Sequence, residues 1–373
     1  MKLKLPESLR SEPREEIPPL VAVAGADVST AKAALTALNC LNSLGRIRLA
    51  GLWDSVKARR EAASDLLGIP AESRFPDLEA LLDAAAPNRR KGPDALLVMG
   101  PLATRTETIR KALANKIHVL CGAPLAQTSA EAESLVDAAA AAGVHLGALH
   151  IGRYQAIHSE ALWAVRQRNL GEILFVRIER PRPRDPKTEA TVGELLTDLY
   201  PDAYLARAWA NSPVTSIYAR EESHRSRNRP VSLSLLHLQH AGGGRSVLHQ
   251  TDTVGPSLEV CEIHGAEGSI RLDRRENTWS ICRGKEGAGG VLWERKEPGP
   301  EMLRGGVSLE ALASETGARP YARALDDAFA SFARGLPPPI DGREAWLNLR
   351  VMDAARESAR TGEVVRVDIP FPR

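Results

Sequence analysis

Aromatic residues make up only 4% of this 373-residue chain, so an apolar content of 43% must fill its interior chiefly with Ala, Leu and Val. No charge of one sign prevails. Lys+Arg 49 against Asp+Glu 47 leaves a formal net charge of +2, and no overall field draws the chain to nucleic acid or to a membrane surface. Cysteine is sparse: Cys40, Cys121, Cys261 and Cys282 form no C-x-x-C pair, and no His stands at zinc-ligand spacing from them. Reduced, partly buried thiols of a cytoplasmic protein are the expectation. No apolar run approaches the roughly 18 residues of a spanning helix. Met1 to Pro19 is charged and proline-bearing, without the apolar stretch of a secretory signal. The Gly-x-Ser-x-Gly, P-loop, HExxH and EF-hand patterns are also missing, which leaves the chemistries they serve without support.

A chain of this length has room for two domains with cores of their own. Residues 1–18 read as an arm broken by Pro6, Pro13 and Pro18. Leu20 to Ala24 is a short apolar run ending at Gly25, and Ser29 or Thr30 is placed to cap a following helix that Gly45 stops. Ile47 to Trp53 reads as a second strand with Asp54 at its carboxyl end, followed by helices at 56–67 and 78–85. Ala95–Met99, Ile117–Cys121 and Val144–Leu149 read as further strands. Between them lie a helix at 104–115 and one opened by the capping box Thr128-Ser129-Ala130-Glu131. Strands alternating with helices predict a doubly wound parallel sheet, a Rossmann-type domain over 19–150.

Beyond residue 150 the period changes. A helix over Ala156–Arg168 leads to serial strands at 173–179, 232–238, 246–250, 257–264, 269–272 and 278–282. Their alternation of apolar and polar residues predicts a C-terminal α+β domain (151–373) with a large open, mostly antiparallel sheet covered on one face. Helices at Tyr321–Arg334 and Arg343–Arg360 close the chain, packing on that domain or returning to the first. The basic run from Arg177 to Lys187 reads as a solvated extended segment or, alternatively, an anionic-ligand patch. His237, His240 and His249 read as scattered sheet histidines, and no metal site is predicted.

The stretch His118-Val119-Leu120-Cys121-Gly122-Ala123-Pro124-Leu125-Ala126 resembles the Glu-Lys-Pro strand end of the Gfo/Idh/MocA oxidoreductases, the family of glucose–fructose oxidoreductase and inositol dehydrogenase. Further landmarks follow in the family's order: Asn169-Leu170-Gly171-Glu172-Ile173, the Gly265-to-Ser269 turn, Leu336 to Gly342, and Glu357 to Gly362. The resemblance implies NAD or NADP as cofactor, a sugar or polyol substrate, and a homo-oligomer assembled through the C-terminal sheet. It also implies a lysine that polarises the substrate hydroxyl. Gly122 and Ala123 stand where the family carries Glu and Lys.

Two more departures accompany that one. A dinucleotide fingerprint brings backbone N–H groups at a helix N-terminus close to a pyrophosphate. In Gly25-Ala26-Asp27-Val28-Ser29-Thr30 the first glycine is kept, while Asp27 and Thr30 replace the others. Asp27 sets a carboxylate in the phosphate seat, so weak or absent cofactor binding is expected. Asp54 would accept from an adenosine ribose, or would cap the helix after it. Pro101 matches the family's proline beside the nicotinamide pocket, and also simply ends a strand. The family's Asp-x-x-x-His segment corresponds to Asp198-Leu199-Tyr200-Pro201-Asp202, with Asp202 at the histidine position. Asp198, Tyr200, Asp202 and His150 are the candidate acids and bases, Tyr204 a further one, with Arg153 and Tyr154 lining the same cleft. His150 reads as a hydrogen-bonded pocket residue or as a general base.

Two functions follow as expectations. One is a family member impaired in conventional hydride transfer that serves as a binding or structural subunit, alongside a protein partner or an active paralogue. The other is an active NAD(P)-dependent oxidoreductase with a substituted acid.

Overall fold

The computed structural model describes residues 17–84, 92–181, 198–226, 229–251, 259–283, 293–309 and 317–372. The chain opens with β1 (Leu20–Ala24), α1 (Val28–Ser43), β2 (Arg48–Trp53), α2 (Lys57–Leu67), β3 (Arg74–Phe75) and α3 (Leu78–Asp83). It continues through β4 (Ala95–Val98), α4 (Leu102–Ala114), β5 (His118–Gly122), α5 (Ser129–Ala142) and β6 (Leu146–Leu149). These six strands form one parallel sheet in the order β3-β2-β1-β4-β5-β6, the doubly wound Rossmann arrangement. β1, β4 and the middle of β5 are buried on both faces, which is why they read as continuous apolar runs rather than alternating ones.

A single helical turn at Ile151–Tyr154 and α6 (Ala156–Arg166) lead into the second sheet. Its strands are β7 (Ile173–Pro181), β8 (Val214–Ser226), β9 (Arg229–His240), β10 (Arg245–Thr251), β11 (Val260–Gly265), β12 (Gly268–Asp273), β13 (Thr278–Arg283), β14 (Glu294–Lys296) and β15 (Val365–Ile369). The order is β14-β13-β12-β11-β7-β10-β9-β8-β15. Among the described residues, only β7 and β10 of this sheet pair in parallel, and its other neighbouring strands are antiparallel. Residues alternate strictly along β10, with Ser246, Leu248 and Gln250 on the covered face. α7 (Tyr200–Ala210) lies across that face.

α8 (Ala318–Ala333) packs on α1 and the 151–154 turn, and α9 (Gly342–Thr361) packs on α5, α7 and β8. Both closing helices therefore return to the Rossmann half, and α9 also touches the second sheet. An ion pair from Arg46 to Asp326 ties α8 to the end of α1, and Asp353 of α9 accepts the Ser129 N–H at 2.8 Å. Several elements depart from expectation. α1 is capped by Asp27 rather than by Ser29 or Thr30. The segment after Asp198 is helical, and β8, β14 and β15 extend the sheet beyond the strands foreseen. Of the basic run, 182–187 lies outside the described residues. Arg177 pairs with Glu179 at 2.7 Å and Arg180 with Asp202 at 2.7 Å, so these two are paired in the sheet rather than merely solvated.

Candidate functional site

The carboxyl ends of β1, β2, β4, β5 and β6 converge on one rim, where a doubly wound sheet binds its ligands. Gly25 leaves β1 with φ +70°, and its N–H donates to Trp53 O at 2.8 Å. A Cβ there would lie 2.6 Å from Gly100 Cα, so the glycine is required by the close crossing of two strand ends. Asp27 then caps α1. Its carboxylate accepts from Ser29 N at 2.9 Å and Ser29 Oγ at 2.7 Å. The Ser29 hydroxyl foremost, and then its N–H, hold the Asp27 carboxyl below the usual carboxylate range. The helix N-terminus is thus occupied by the chain's own anion, and Thr30 Oγ1 turns back to Asp27 O at 3.3 Å.

At the end of β2, Asp54 is 2% exposed. Its Oδ1 accepts from Val56 N at 2.8 Å and from Arg59 Nε and Nη2 at 3.1 and 3.0 Å. These bonds fold the chain into the start of α2 and leave a guanidinium beside the carboxylate. Pro101 stands immediately before α4.

Ala123 follows the end of β5 with only a methyl group. The neighbouring cation is Arg105 of α4, 9% exposed. Its guanidinium donates to Gly100 O at 2.9 Å and Gly122 O at 2.7 Å, and also to Pro124 O. A Cβ on Gly122 would meet Arg105 Nη2 at an ordinary contact distance of 3.5 Å, so the guanidinium packs directly against this strand end.

α7 sorts the remaining candidates onto two sides by its i, i+4 spacing. Tyr200 and Tyr204 face His150 at the end of β6. Tyr200 Oη lies 3.2 Å from His150 Nε2, and the His150 ring stacks on Tyr204 with centroids 4.3 Å apart. Arg153 donates to Tyr204 Oη at 2.9 Å. Burial above all, then Arg207 and Arg153, pushes His150 down to about 3, so the imidazole is neutral at physiological pH. Burial raises both tyrosine hydroxyls above their ordinary value, against the pull of Arg153 on Tyr204. His150 Nδ1 is buried with no partner among the described residues. Tyr154 is buried as well, its hydroxyl raised by burial.

Asp198 and Asp202 face the sheet instead. Asp198 accepts from Gln250 Nε2 at 3.0 Å. Asp202, fully buried, lies 2.7 Å from Arg180 Nη2 and 3.6 Å from Arg274 Nη2. Ser234, Gln250 and Arg180 are direct cross-strand neighbours on β9, β10 and β7, a polar row across the covered face. Behind it His158 accepts from Arg274 Nε at 2.9 Å and contacts Gly152 O at 2.6 Å. The structure thus brings His150, Tyr200, Tyr204 and Arg153 together, and sets Asp198 and the ion-paired Asp202 into a separate polar seam against the second sheet.

Arg105, Arg274 and Gln250 are not singled out by the sequence, and Arg180 stands out there only as part of the basic run. Their partners are backbone carbonyls or residues far along the chain, and neither leaves a local signal. Of the sheet histidines, His240 turns inward to Ser246 Oγ at 2.7 Å, while His237 and His249 sit half-buried on the opposite face. Among the described residues no group of three His, Cys, Asp or Glu gathers as a metal set, and no helix is long and apolar enough to cross a membrane. A cavity of about 510 Å³ lined by Arg168, Glu172, Asn211, Ser212 and Glu267 shares no residue with the His150 cluster.

Residues 20–150 match the family described as Gfo/Idh/MocA oxidoreductases with an NAD-binding Rossmann fold. None of the curated proteins matches the chain. Among solved structures, an oxidoreductase from Agrobacterium radiobacter in complex with NAD+, L-tartaric acid and magnesium is similar at 18% identity and TM-score 0.74, covering 93% of this chain and 98% of that one. Levoglucosan dehydrogenase in complex with NADH and levoglucosan is similar at 16% identity and TM-score 0.75, covering 95% and 100%. The aldose-aldose oxidoreductase of Caulobacter crescentus complexed with glycerol is similar at 20% identity and TM-score 0.71, covering 94% and 100%. At these identities the likeness is one of fold.

Proposed function

Because residues 20–150 match the Gfo/Idh/MocA oxidoreductase family, and the whole chain carries the same two-sheet fold as the solved oxidoreductases, we propose that this protein is a family member that does not carry out conventional hydride transfer and acts as a binding or structural subunit. The observation that carries the reading is Ala123: the strand end that should offer an amine offers a methyl group. Arg105 keeps a positive charge nearby, but a guanidinium cannot be deprotonated in proteins and so cannot stand in for a proton-handling lysine. The other candidates support the same view. His150 is held neutral, Tyr200 and Tyr204 are harder to ionise than free tyrosine, and Asp202 is committed to Arg180 and Arg274.

The phosphate seat does not fit a dinucleotide in the usual pose. Asp27 already takes the Ser29 N–H, and its charge opposes a pyrophosphate. NAD and NADP are therefore proposed to bind weakly or not at all. The half-buried outer face of the second sheet, with Arg177, Glu179, Glu262 and His264, is proposed to meet a second copy or a protein partner. Four free cysteines accord with a reducing, cytoplasmic setting.

The test is calorimetry with NAD and NADP, followed by assays on a panel of sugars and polyols with each. The expected result is no turnover, and none after Ala123→Lys alone, because the phosphate seat is unchanged. Steady hydride transfer by the natural sequence would overturn the reading. One observation favours a second reading, an active oxidoreductase on a sugar, polyol or related hydroxy compound: the Tyr200–His150 hydrogen bond has the form of a substituted acid–base pair. On that reading Tyr200→Phe abolishes turnover.

A further inference from the structure

Residues 335–341 join α8 to α9 along the outer edge of β6. Ala148 N donates to Ile340 O at 3.1 Å, and Gly147 forms an isolated antiparallel bridge with Asp341. A Cβ on Gly147 would lie 2.6 Å from Pro338 Cγ and 3.0 Å from Ile340 O, so this strap is seated on bare backbone. Further along, Arg153 Nη1, the nitrogen that holds Tyr204, lies 3.4 Å from Pro339 O. The strap therefore leans on the wall of the candidate site.

Its first residue is held by stacked rings. His145 Nε2 lies 2.9 Å from Gly335 O, and the His145 backbone N–H donates to His118 Nδ1 at 2.9 Å. The His118 ring is parallel within 9° to His145 and within 11° to Phe332 of α8, at centroid distances of 5.2 and 5.0 Å. We propose that His118, His145 and Phe332 form an acid-released clasp that holds the 335–341 strap on the Rossmann sheet and, through Arg153, holds the wall of the candidate site.

The geometry sets the direction. His118 Nδ1 accepts a hydrogen bond, so it carries no proton while the clasp is closed. A proton placed there would set N–H against N–H and add a charge beside the His145 ring. Among the described residues, two titratable groups act on His118: His145, just before β6, disfavours its charge, and Asp94 from the loop before β4 favours it. α8 contributes the uncharged Phe332 ring. Burial is the largest influence, and the balance is a lowered proton affinity. The clasp is accordingly closed above the ordinary histidine value near 6.5 and opens as pH falls through the lower folded-state value. It stands whether or not the site turns over a substrate.

Hydrogen exchange followed by mass spectrometry on the full chain tests this, from about pH 8 to about pH 5 and corrected for intrinsic exchange. Protection of peptides covering 335–342 and 146–149 should fall by up to about tenfold per pH unit below the folded-state value. His118→Asn keeps an acceptor near the Nδ1 position without titrating, and its protection should be flat over the same range. In the natural protein, NMR of the His118 ring should show Nδ1 unprotonated at about pH 8 and its titration coincident with strap release. Flat protection in the natural protein overturns the proposal, as does undiminished acid release in His118→Asn or a protonated Nδ1 at the higher pH.

Discussion

Asp202, at the position where the resemblance places a histidine, lies 2.7 Å from Arg180 and has no exposed surface. A buried ion pair adds little over a well-packed apolar pair, but removing one partner strands the other. Asp202→Asn should therefore destabilise the protein by about 3–5 kcal/mol, read as a lowered denaturant midpoint at constant slope. Asp202→His should be no better, since it adds a further donor beside two guanidinium groups. A midpoint unchanged in both variants would mean that Arg180 and Arg274 find other partners.

Two glycines that face each other should respond unequally to alanine. At Gly25 the φ of +70° and a 2.6 Å approach to Gly100 Cα oppose any side chain, whereas a Cβ on Gly100 would meet Gly25 Cα at an ordinary 3.5 Å. Gly25→Ala should cost about 1–3 kcal/mol and Gly100→Ala less. Thermal denaturation of the two variants decides the order, and equal losses would contradict the close-crossing account.

For the cofactor, the informative change is Asp27→Ser. Serine preserves an acceptor for the first turn of α1 while removing the charge that opposes a pyrophosphate. Binding of NAD, measured by calorimetry, should tighten relative to the natural protein, with helix content unchanged by circular dichroism. No change in affinity would place the obstacle elsewhere on the rim.

Acid should weaken the fold over a defined window. Burial, the leading cause in each case, pushes His150 down to about 3 and His240 to about 4, from an ordinary value near 6.5. Protons therefore bind the unfolded chain first. The stability due to these neutral histidines is complete above about pH 6.5 and is lost as pH falls toward the folded-state values. The melting temperature should drop progressively below about pH 6.5, and His240→Gln should make that drop shallower. An identical slope would remove His240 from the explanation.

The Rossmann half was legible because its signals are local: apolar strands with glycine or proline after them, and helices with one apolar stripe. α7 was not read as a helix because Asp202 through Ala210 are all buried, so no stripe stands out against a polar side. β8 was missed because Arg220, Glu221 and Glu222 resemble a solvated loop; its partner is β9, joined along nearly its whole length. At the site, the vacancy at Ala123 was visible as a departure from a motif. That Asp198 and Asp202 turn away from His150 was not, since the direction of a side chain follows from the packing of α7 between two halves of the chain. Arg105 gave no sign because its partners are main-chain carbonyls, which every residue possesses.

The strap on β6 also bears on how the molecule behaves in a crowd. An uncovered outer strand is a template on which another chain can add itself. Here that side of the parallel sheet is overlaid by Pro337, Pro338 and Pro339, residues without an N–H to offer a newcomer. The flank of the Rossmann sheet nearest the candidate site is thus shielded against strand-by-strand growth at high concentration.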